Sequence, residues 1–326
     1  MNTTVTILGC GTMGMSVLSG VLASLKEPST QAYPEMTPES SMILPQKSDI
    51  LPRKYLLTVH SESSLRRVRR SLRDVGYFVK TATSSDSDTD SEPFPARDGI
   101  SIELGLASSN VKYVQKSQIV LLSCKPQMAS TLLQEPGMSE ALEGKLLISI
   151  LAGVKIDQMK EMVPSSCLVV RAMPNTPTRI REGMTVVSSL PYGVDANYRD
   201  VLLALFSPLG RCRFLEEKHF DAVTALAGSG PAFVCLMLEA LADGGVMMGL
   251  PRKEALEIAA QTMQGAARMV LETGTHPAAL KDSVTTPGGC TIAGLLTLED
   301  GRVRSTIARC IQETTRHASG LGQSKK

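Results

Sequence analysis

The chain has no tryptophan, only 6 tyrosines and 6 phenylalanines, 4 histidines, and almost no net charge: 34 basic against 32 acidic side chains in 326 residues. A formal charge of +2 gives no basic face with which to coat nucleic acid or an anionic membrane, so small molecules are the expected partners. The histidines, at 60, 219, 276 and 317, follow no metal-ligand or triad spacing, and no His-Glu-x-x-His occurs, so metal-dependent and serine-hydrolase mechanisms lack candidates. Seven cysteines, at 10, 124, 167, 212, 235, 290 and 310, are odd in number and form no Cys-x-x-Cys pair. They read as reduced, packed thiols rather than a zinc site or a disulfide framework. Long uncharged stretches are scarce as well: the run that starts near Gly228 meets Glu239 and Asp243 within a few turns, and no membrane-spanning helix is expected. The start, Met1-Asn2-Thr3-Thr4-Val5, has no charged leader region, which makes the cytoplasm the expected compartment.

What is present is a strand and helix grammar. Val5-Thr6-Ile7-Leu8 is β-prone and ends at glycine, and Met13, Val17, Leu18, Val21, Leu22 and Leu25 then recur at helical spacing. Further apolar runs at 55–59, 119–122, 146–150 and 168–170 show no polar alternation, the mark of parallel strands covered on both faces. The fold class expected is an α/β Rossmann-type dinucleotide-binding domain over residues 1–216, followed by an all-α domain over 217–326. In that second half, helices are expected over 220–228, 231–244, 251–273, 277–284, 291–298 and 303–317, with prolines at their starts and glycines near their ends. The helix after Pro251 has few positions left for a polar face and belongs in a core or a subunit interface. Met237, Met247, Met248, Met263 and Met269 are read chiefly as filling of a helical core. Two stretches break the pattern. Residues 27–53 carry five prolines and read as an insertion, and residues 80–98, rich in serine and acid, read as a disordered loop.

Five groups of residues carry chemistry. Gly9-Cys10-Gly11-Thr12-Met13-Gly14 matches the G-x-G-x-x-G fingerprint and lies between a strand and a helix, the context that lets backbone amides and a helix N-terminus meet a pyrophosphate. After the second strand stand His60 and Ser61, then Arg66 and Arg67, where an acid would favour the ribose of NAD. A hydroxyl and guanidinium groups favour a 2′-phosphate, hence NADPH, with NADH still accessible. Cys124-Lys125-Pro126 leaves a strand at the sheet's carboxyl edge; Lys125 reads as a positional group or, less readily, an acid. Asp282-Ser283-Val284-Thr285-Thr286-Pro287-Gly288-Gly289-Cys290-Thr291 runs into a helix and, with two glycines after proline, offers successive backbone amides to a carboxylate. Ala227-Gly228-Ser229-Gly230-Pro231-Ala232-Phe233 offers small residues to a planar ring. Either is equally a helix-to-helix turn.

With Arg171-Ala172-Met173-Pro174-Asn175-Thr176-Pro177 and Leu241-Ala242-Asp243-Gly244-Gly245-Val246 added to these clusters, the chain resembles the pyrroline-5-carboxylate reductases over nearly its whole length. The resemblance implies reduction of the C=N bond of Δ1-pyrroline-5-carboxylate to L-proline, an interleaved homodimer that can assemble further, and no metal. It also places the pyrophosphate on Gly9, Cys10, Gly11, Thr12, Met13 and Gly14, and the 2′-phosphate and adenosine near Ser61 and Asn110. Cys124, Lys125, Pro126 and Ala152 would border the nicotinamide ribose. The substrate carboxylate would fall on Thr286, Gly288, Gly289, Cys290 and Thr291, in a loop that in family dimers lies close to the partner's cofactor domain, with the Thr291 hydroxyl orienting the ring nitrogen. Phe233 replaces a frequent tyrosine and Ser283 an asparagine of some members. These departures keep two other readings in view, a reductase of a six-membered imino acid and an NADP(H)-sensing protein without turnover.

Overall fold

The computed structural model describes residues 3–26, 51–81, 99–194 and 196–320. The strands are β1 (Thr4–Leu8), β2 (Lys54–Val59), β3 (Lys80–Thr81), β4 (Ser101–Leu106), β5 (Ile119–Leu122), β6 (Leu146–Ser149), β7 (Leu168–Met173), β8 (Gly183–Ser188) and β9 (Gly210–Leu215). Among the described residues they form one sheet in the order β3-β4-β2-β1-β5-β6-β7-β8-β9. The helices of this half are α1 (Thr12–Lys26), α2 (Glu62–Asp74), α3 (Asn110–Gln115), α4 (Ala129–Leu133), α5 (Met138–Leu142), α6 (Ile156–Lys160), α7 (Ala196–Phe206) and α8 (Phe220–Val223).

The unbroken apolar strands are explained by burial on both faces. In β5, Ile119 and Leu121 join Val5, Ile7, Leu57 and Ile148 under α1, α2 and α7. Val120 and Leu122 turn the other way, joining Leu8, Leu147 and Val169 under α3, α4, α5 and α6. Alternate residues thus feed two cores, and a polar residue at either position would be buried.

The sequence pattern missed four strands for identifiable reasons. In β4, Glu103 and the exposed Ser101 interrupt the apolar run because this strand lies next to the edge strand β3, and β9 is an edge strand that alternates arginine with apolar residues. The five strands read from the sequence are parallel as expected, whereas β8 runs antiparallel to β7, since the short connection 174–182 leaves no room for a helical crossover. The expected insertion at 27–53 and loop at 80–98 lie outside the described residues except for 51–53 and 80–81, and the latter pair is a strand rather than loop.

The chain separates into two compact units. The first takes the described residues up to Gly228 together with those from His317, and the second takes Ser229–Arg316. The remaining helices are α9 (Gly230–Met247), α10 (Arg252–Thr273), α11 (Pro277–Ser283), α12 (Cys290–Asp300) and α13 (Val303–Gly320). The helix expected to end at Gly228 and restart at Pro231 does not break at Gly228-Ser229-Gly230. A π-helical turn, Thr224–Ser229, joins α8 to α9 instead, and α9 runs past Gly244 to Met247. Glu217–Met247 is one helical run of 31 residues that holds an 18-residue window of mean hydropathy 1.6, long and apolar enough to cross a membrane by length and composition alone. α9 and α10 pack through small residues, Ala242, Ala255 and Ala259. Leu236, Leu241, Met247, Met248 and Ile258 face outward, so Met247 and Met248, read above as core filling, are surface groups of the single chain.

Among the described residues of the first unit, one charged residue is buried. Arg171, on β7, is 3% exposed and pairs through Nη1 with Glu217 Oε1 at 2.9 Å, while its guanidinium stacks over the Phe220 ring at 4.8 Å. The same Glu217 oxygen accepts the Ile156 backbone N–H at 2.8 Å, so one carboxylate ties β7, the start of α6 and the start of the long helical run. Breaking a buried pair leaves an uncompensated charge. Glu217→Ala is expected to lower stability by about 3 kcal/mol, the low end for such a loss because Glu217 keeps some solvent. Denaturant midpoints check this, with Glu216→Ala, whose partner Lys218 is exposed, expected to match the wild type.

Candidate active site

The carboxyl ends of β1, β2, β5, β6 and β7 lie along one edge of the sheet, where open α/β folds bind ligands. Gly9 sits there at φ 70, and a Cβ on it would lie 2.8 Å from both Cα and Cβ of Cys124. Only glycine fits, on both counts. A Cβ on Gly14 would lie 2.6 Å from Ser123 Oγ, so this glycine lets α1 settle onto the end of β5. The Ser123 hydroxyl in turn donates to the Gly9 carbonyl at 3.0 Å, and Cys10 N–H donates to Thr58 O at 2.7 Å, tying the loop to β2 and β5. α1 is 15 residues long with no acid in its first turn, so its N-terminal dipole is uncompensated by its own side chains. These features fit a pyrophosphate.

At the end of β2, Ser61 caps α2, its hydroxyl accepting Ser64 N–H at 3.3 Å. Arg66 and Arg67 are exposed on the first turns of that helix, and the Arg67 charge reaches Cys10 inside the glycine loop. Asn110 opens α3 beyond β4 but is 1% exposed. Its amide donates to Glu135 Oε1 at 2.9 Å, and its carbonyl oxygen has no protein partner. After β5, Cys124 is half-buried, Lys125 exposed and Pro126 starts a 3-10 turn; after β6, Ala152 is half-buried beside Gly153 at φ 77. The edge therefore brings together Gly9–Gly14, Ser61, Cys124–Pro126 and Ala152. Among the described residues no group of His, Cys, Asp or Glu side chains could hold a metal ion.

In the second unit Gly289 is the N-cap of α12 and brings no side-chain cap, which leaves the first amides of the helix, those of Cys290, Thr291 and Ile292, without one. Gly288 supplies the positive φ of 68 that turns the chain into the helix, and Gly289 N–H donates to Thr286 O at 3.0 Å. Thr291 is half-exposed, and Cys290 is exposed rather than packed. Ser283 uses its hydroxyl within its own helix, donating to Leu280 O at 2.7 Å, and Phe233 is half-buried on α9.

Burial dominates the thiols on the cofactor edge. Cys10 is pushed up to about 12 despite the opposing charge of Arg67, and Cys124 to about 11. A raised thiol pKa keeps the neutral, non-nucleophilic form at all physiological pH values. Iodoacetamide at pH 8 is therefore expected to leave Cys10 and Cys124 of the folded protein unmodified, as peptide mass mapping would show. Alkylation of Cys124 at the rate of an ordinary free thiol would contradict this.

Two family models match. That described as "Pyrroline-5-carboxylate reductase dimerisation" covers residues 217–321, and that described as "NADP oxidoreductase coenzyme F420-dependent" covers residues 70–153. The chain is 42% identical over 319 residues to a pyrroline-5-carboxylate reductase of Schizosaccharomyces pombe, covering 97% of this chain and 98% of that one. It is 44% identical over 333 residues to one of Lophium arboricola, covering 98% and 93%. In fold it is similar to the Plasmodium falciparum pyrroline carboxylate reductase with NADP bound, at 24% identity and a TM-score of 0.70, covering 99% of each chain. The dimerisation match spans α9 and α10, whose leucines and methionines face outward in the single chain, and it indicates a homodimer.

Proposed function

The chain belongs to the pyrroline-5-carboxylate reductase family and is an NAD(P)H-dependent oxidoreductase, and from that premise we propose that it reduces Δ1-pyrroline-5-carboxylate to L-proline with NADPH as its preferred donor. The observation that carries the cofactor assignment is the end of β2: the capping Ser61 and the exposed Arg66 and Arg67 stand where a ribose-binding acid would select NAD, with Arg67 in electrostatic reach of the glycine loop. The NADP held by the Plasmodium protein of similar fold supports it. We assign the pyrophosphate to the amides of Gly9–Gly14, and the nicotinamide ribose to Cys124, Lys125, Pro126 and Ala152. Ser61 and Asn110 serve the adenosine end, Asn110 through the carbonyl oxygen it leaves unpaired. Residues 1–216 form the cofactor half of this reading and 217–326 the dimerisation and substrate half.

When bound, NADPH supplies the hydride that adds to the C=N carbon. The ring nitrogen reaches the product with one proton, and because the imine can arrive already protonated, the protein needs no strong acid of its own. Its task is orientation and exclusion of water. Thr286, Gly288, Gly289, Cys290 and Thr291 are assigned to the substrate carboxylate, through the uncapped amides that begin α12 and their helix dipole. The Thr291 hydroxyl, half-exposed at that terminus, is assigned to the ring nitrogen as a hydrogen-bonding orienter. Assembly of dimers into larger rings or clusters is part of the same proposal, motivated by the family resemblance.

Following absorbance of the reduced cofactor with the five-membered and the six-membered imino acid, and with NADPH and NADH, tests the assignment. The five-membered compound with NADPH is expected to give the highest kcat/KM. Preference for the six-membered ring, equal use of both cofactors, or tight NADPH binding without any turnover would each contradict a named part of it. Thr291→Ala is expected to slow the single-turnover step by roughly tenfold, the worth of one well-placed hydrogen bond, with cofactor affinity unchanged. An unaltered single-turnover rate would remove Thr291 from the reaction.

A further inference from the structure

The sequence motif Arg171–Pro177 has no part in the assignments above, yet its asparagine is buried at the carboxyl end of β7, on the same sheet edge as the glycine loop. Asn175 is 9% exposed and spends its side chain in two directions. Its Oδ1 accepts the Met184 backbone N–H at 2.9 Å, fixing the start of β8. Its Nδ2 donates to the Ala227 carbonyl at 3.1 Å, inside the π-helical turn Thr224–Ser229. Its own backbone carbonyl is held by the Thr178 hydroxyl at 2.7 Å, so the side chain is aimed by a loop that cannot swing.

The sequence explains why that carbonyl takes a side-chain donor. In an α-helix the Ala227 oxygen would receive the N–H four residues on, and that residue is Pro231, which has none. A helix interrupted in this way widens to a π turn or kinks, and the carbonyl that has lost its α-helical donor is accessible to a side-chain one. Asn175 is that donor. Next to it, Met173 lies so close to Gly228 that a Cβ there would be 2.8 Å from the methionine Cε, so β7 holds the turn by packing as well as by the hydrogen bond.

We propose that Asn175 is a positioning residue for the reduction: its amide takes the carbonyl that Pro231 leaves open, and so holds the π turn, with Gly228, against the sheet edge that receives the nicotinamide. The role rests on the cofactor assignment made above. It requires no direct contact of Asn175 with substrate. Hydride transfer is sensitive to displacements of an ångström or less, and a turn free to shift at this edge loses that alignment.

Asn175→Asp is the informative variant, because it keeps the size and the acceptor for Met184 N–H while replacing the donor by an oxygen that repels the Ala227 carbonyl. Three measurements are made on it, on wild type, and on Thr6→Val, which removes a buried hydrogen bond to Tyr113 O in β1 and serves as a control for lost stability alone. In the protein without cofactor, amide hydrogen exchange over 224–232 is expected to accelerate in Asn175→Asp and not in Thr6→Val. Single-turnover oxidation of NADPH by Δ1-pyrroline-5-carboxylate is expected to fall by roughly tenfold to a hundredfold in Asn175→Asp, with NADPH affinity held within about threefold, and to be unchanged in Thr6→Val. Melting temperature is expected to fall in both. A wild-type rate in Asn175→Asp, or unchanged exchange over 224–232, overturns the proposal. Absence of turnover in the wild type would instead overturn the functional reading, and the exchange result would still decide whether Asn175 holds the turn.

Discussion

The structure depends on how closely the chain leaving β1 passes the chain leaving β5. With the backbone of Gly9 pressed on Cys124, no side chain fits between them, and the loop that follows has to present its amides outward, toward the end of the sheet. The start of α1, the hydroxyl of Ser123 and the tie from Cys10 to Thr58 all follow from that approach. Desolvation of the thiols is a by-product of the same crowding: burial raises Cys10 and Cys124 and so disfavours their thiolates. The edge is thus built for binding and alignment, which suits a reaction whose reactive group belongs to a cofactor.

A second constraint operates at β7. Its buried Arg171 and the Glu217 carboxylate secure the start of the long helical run, and its exit segment meets the π turn further along that run. The chain thus leaves the α/β unit through a segment held by charge at one end and by a side-chain amide at the other. Beyond it, α9 and α10 bury little more than alanines against one another while leucines and methionines face outward. Such a surface is intelligible as half of an interface, and it lies within the dimerisation match over 217–321, which indicates a homodimer. The same apolar content makes Glu217–Met247 resemble a membrane span in length and composition.

Much of this was legible in the residues. The glycine fingerprint between a strand and a helix, the near-continuous apolar strands, and the proline starts of α9 and α11 are local signals, and local physics produces them. What escaped the sequence was non-local. β4 and β9 lie next to or at the sheet margins, where one-sided exposure dilutes the apolar signal, and the reversal at β8 depends on how short a loop joins two strands. The turn that carries the helix through Gly228-Ser229-Gly230 accepts a hydrogen bond at Ala227 from Asn175, 52 positions earlier in the chain, which no window of periodicity can contain. Glu217 carried no signal at all, being one acid among 32. The uncapped start of α12 could be read in outline from Pro287-Gly288-Gly289, although the same letters serve an ordinary turn.

The central claim is that hydride is delivered to the C=N carbon of a five-membered imino acid. It is tested most directly by mass spectrometry of the product formed from Δ1-pyrroline-5-carboxylate and NADPH carrying deuterium at the transferred position. The account predicts L-proline with a single deuterium on the former C=N carbon. Proline without label, or no proline formed while the cofactor remains bound, would contradict it.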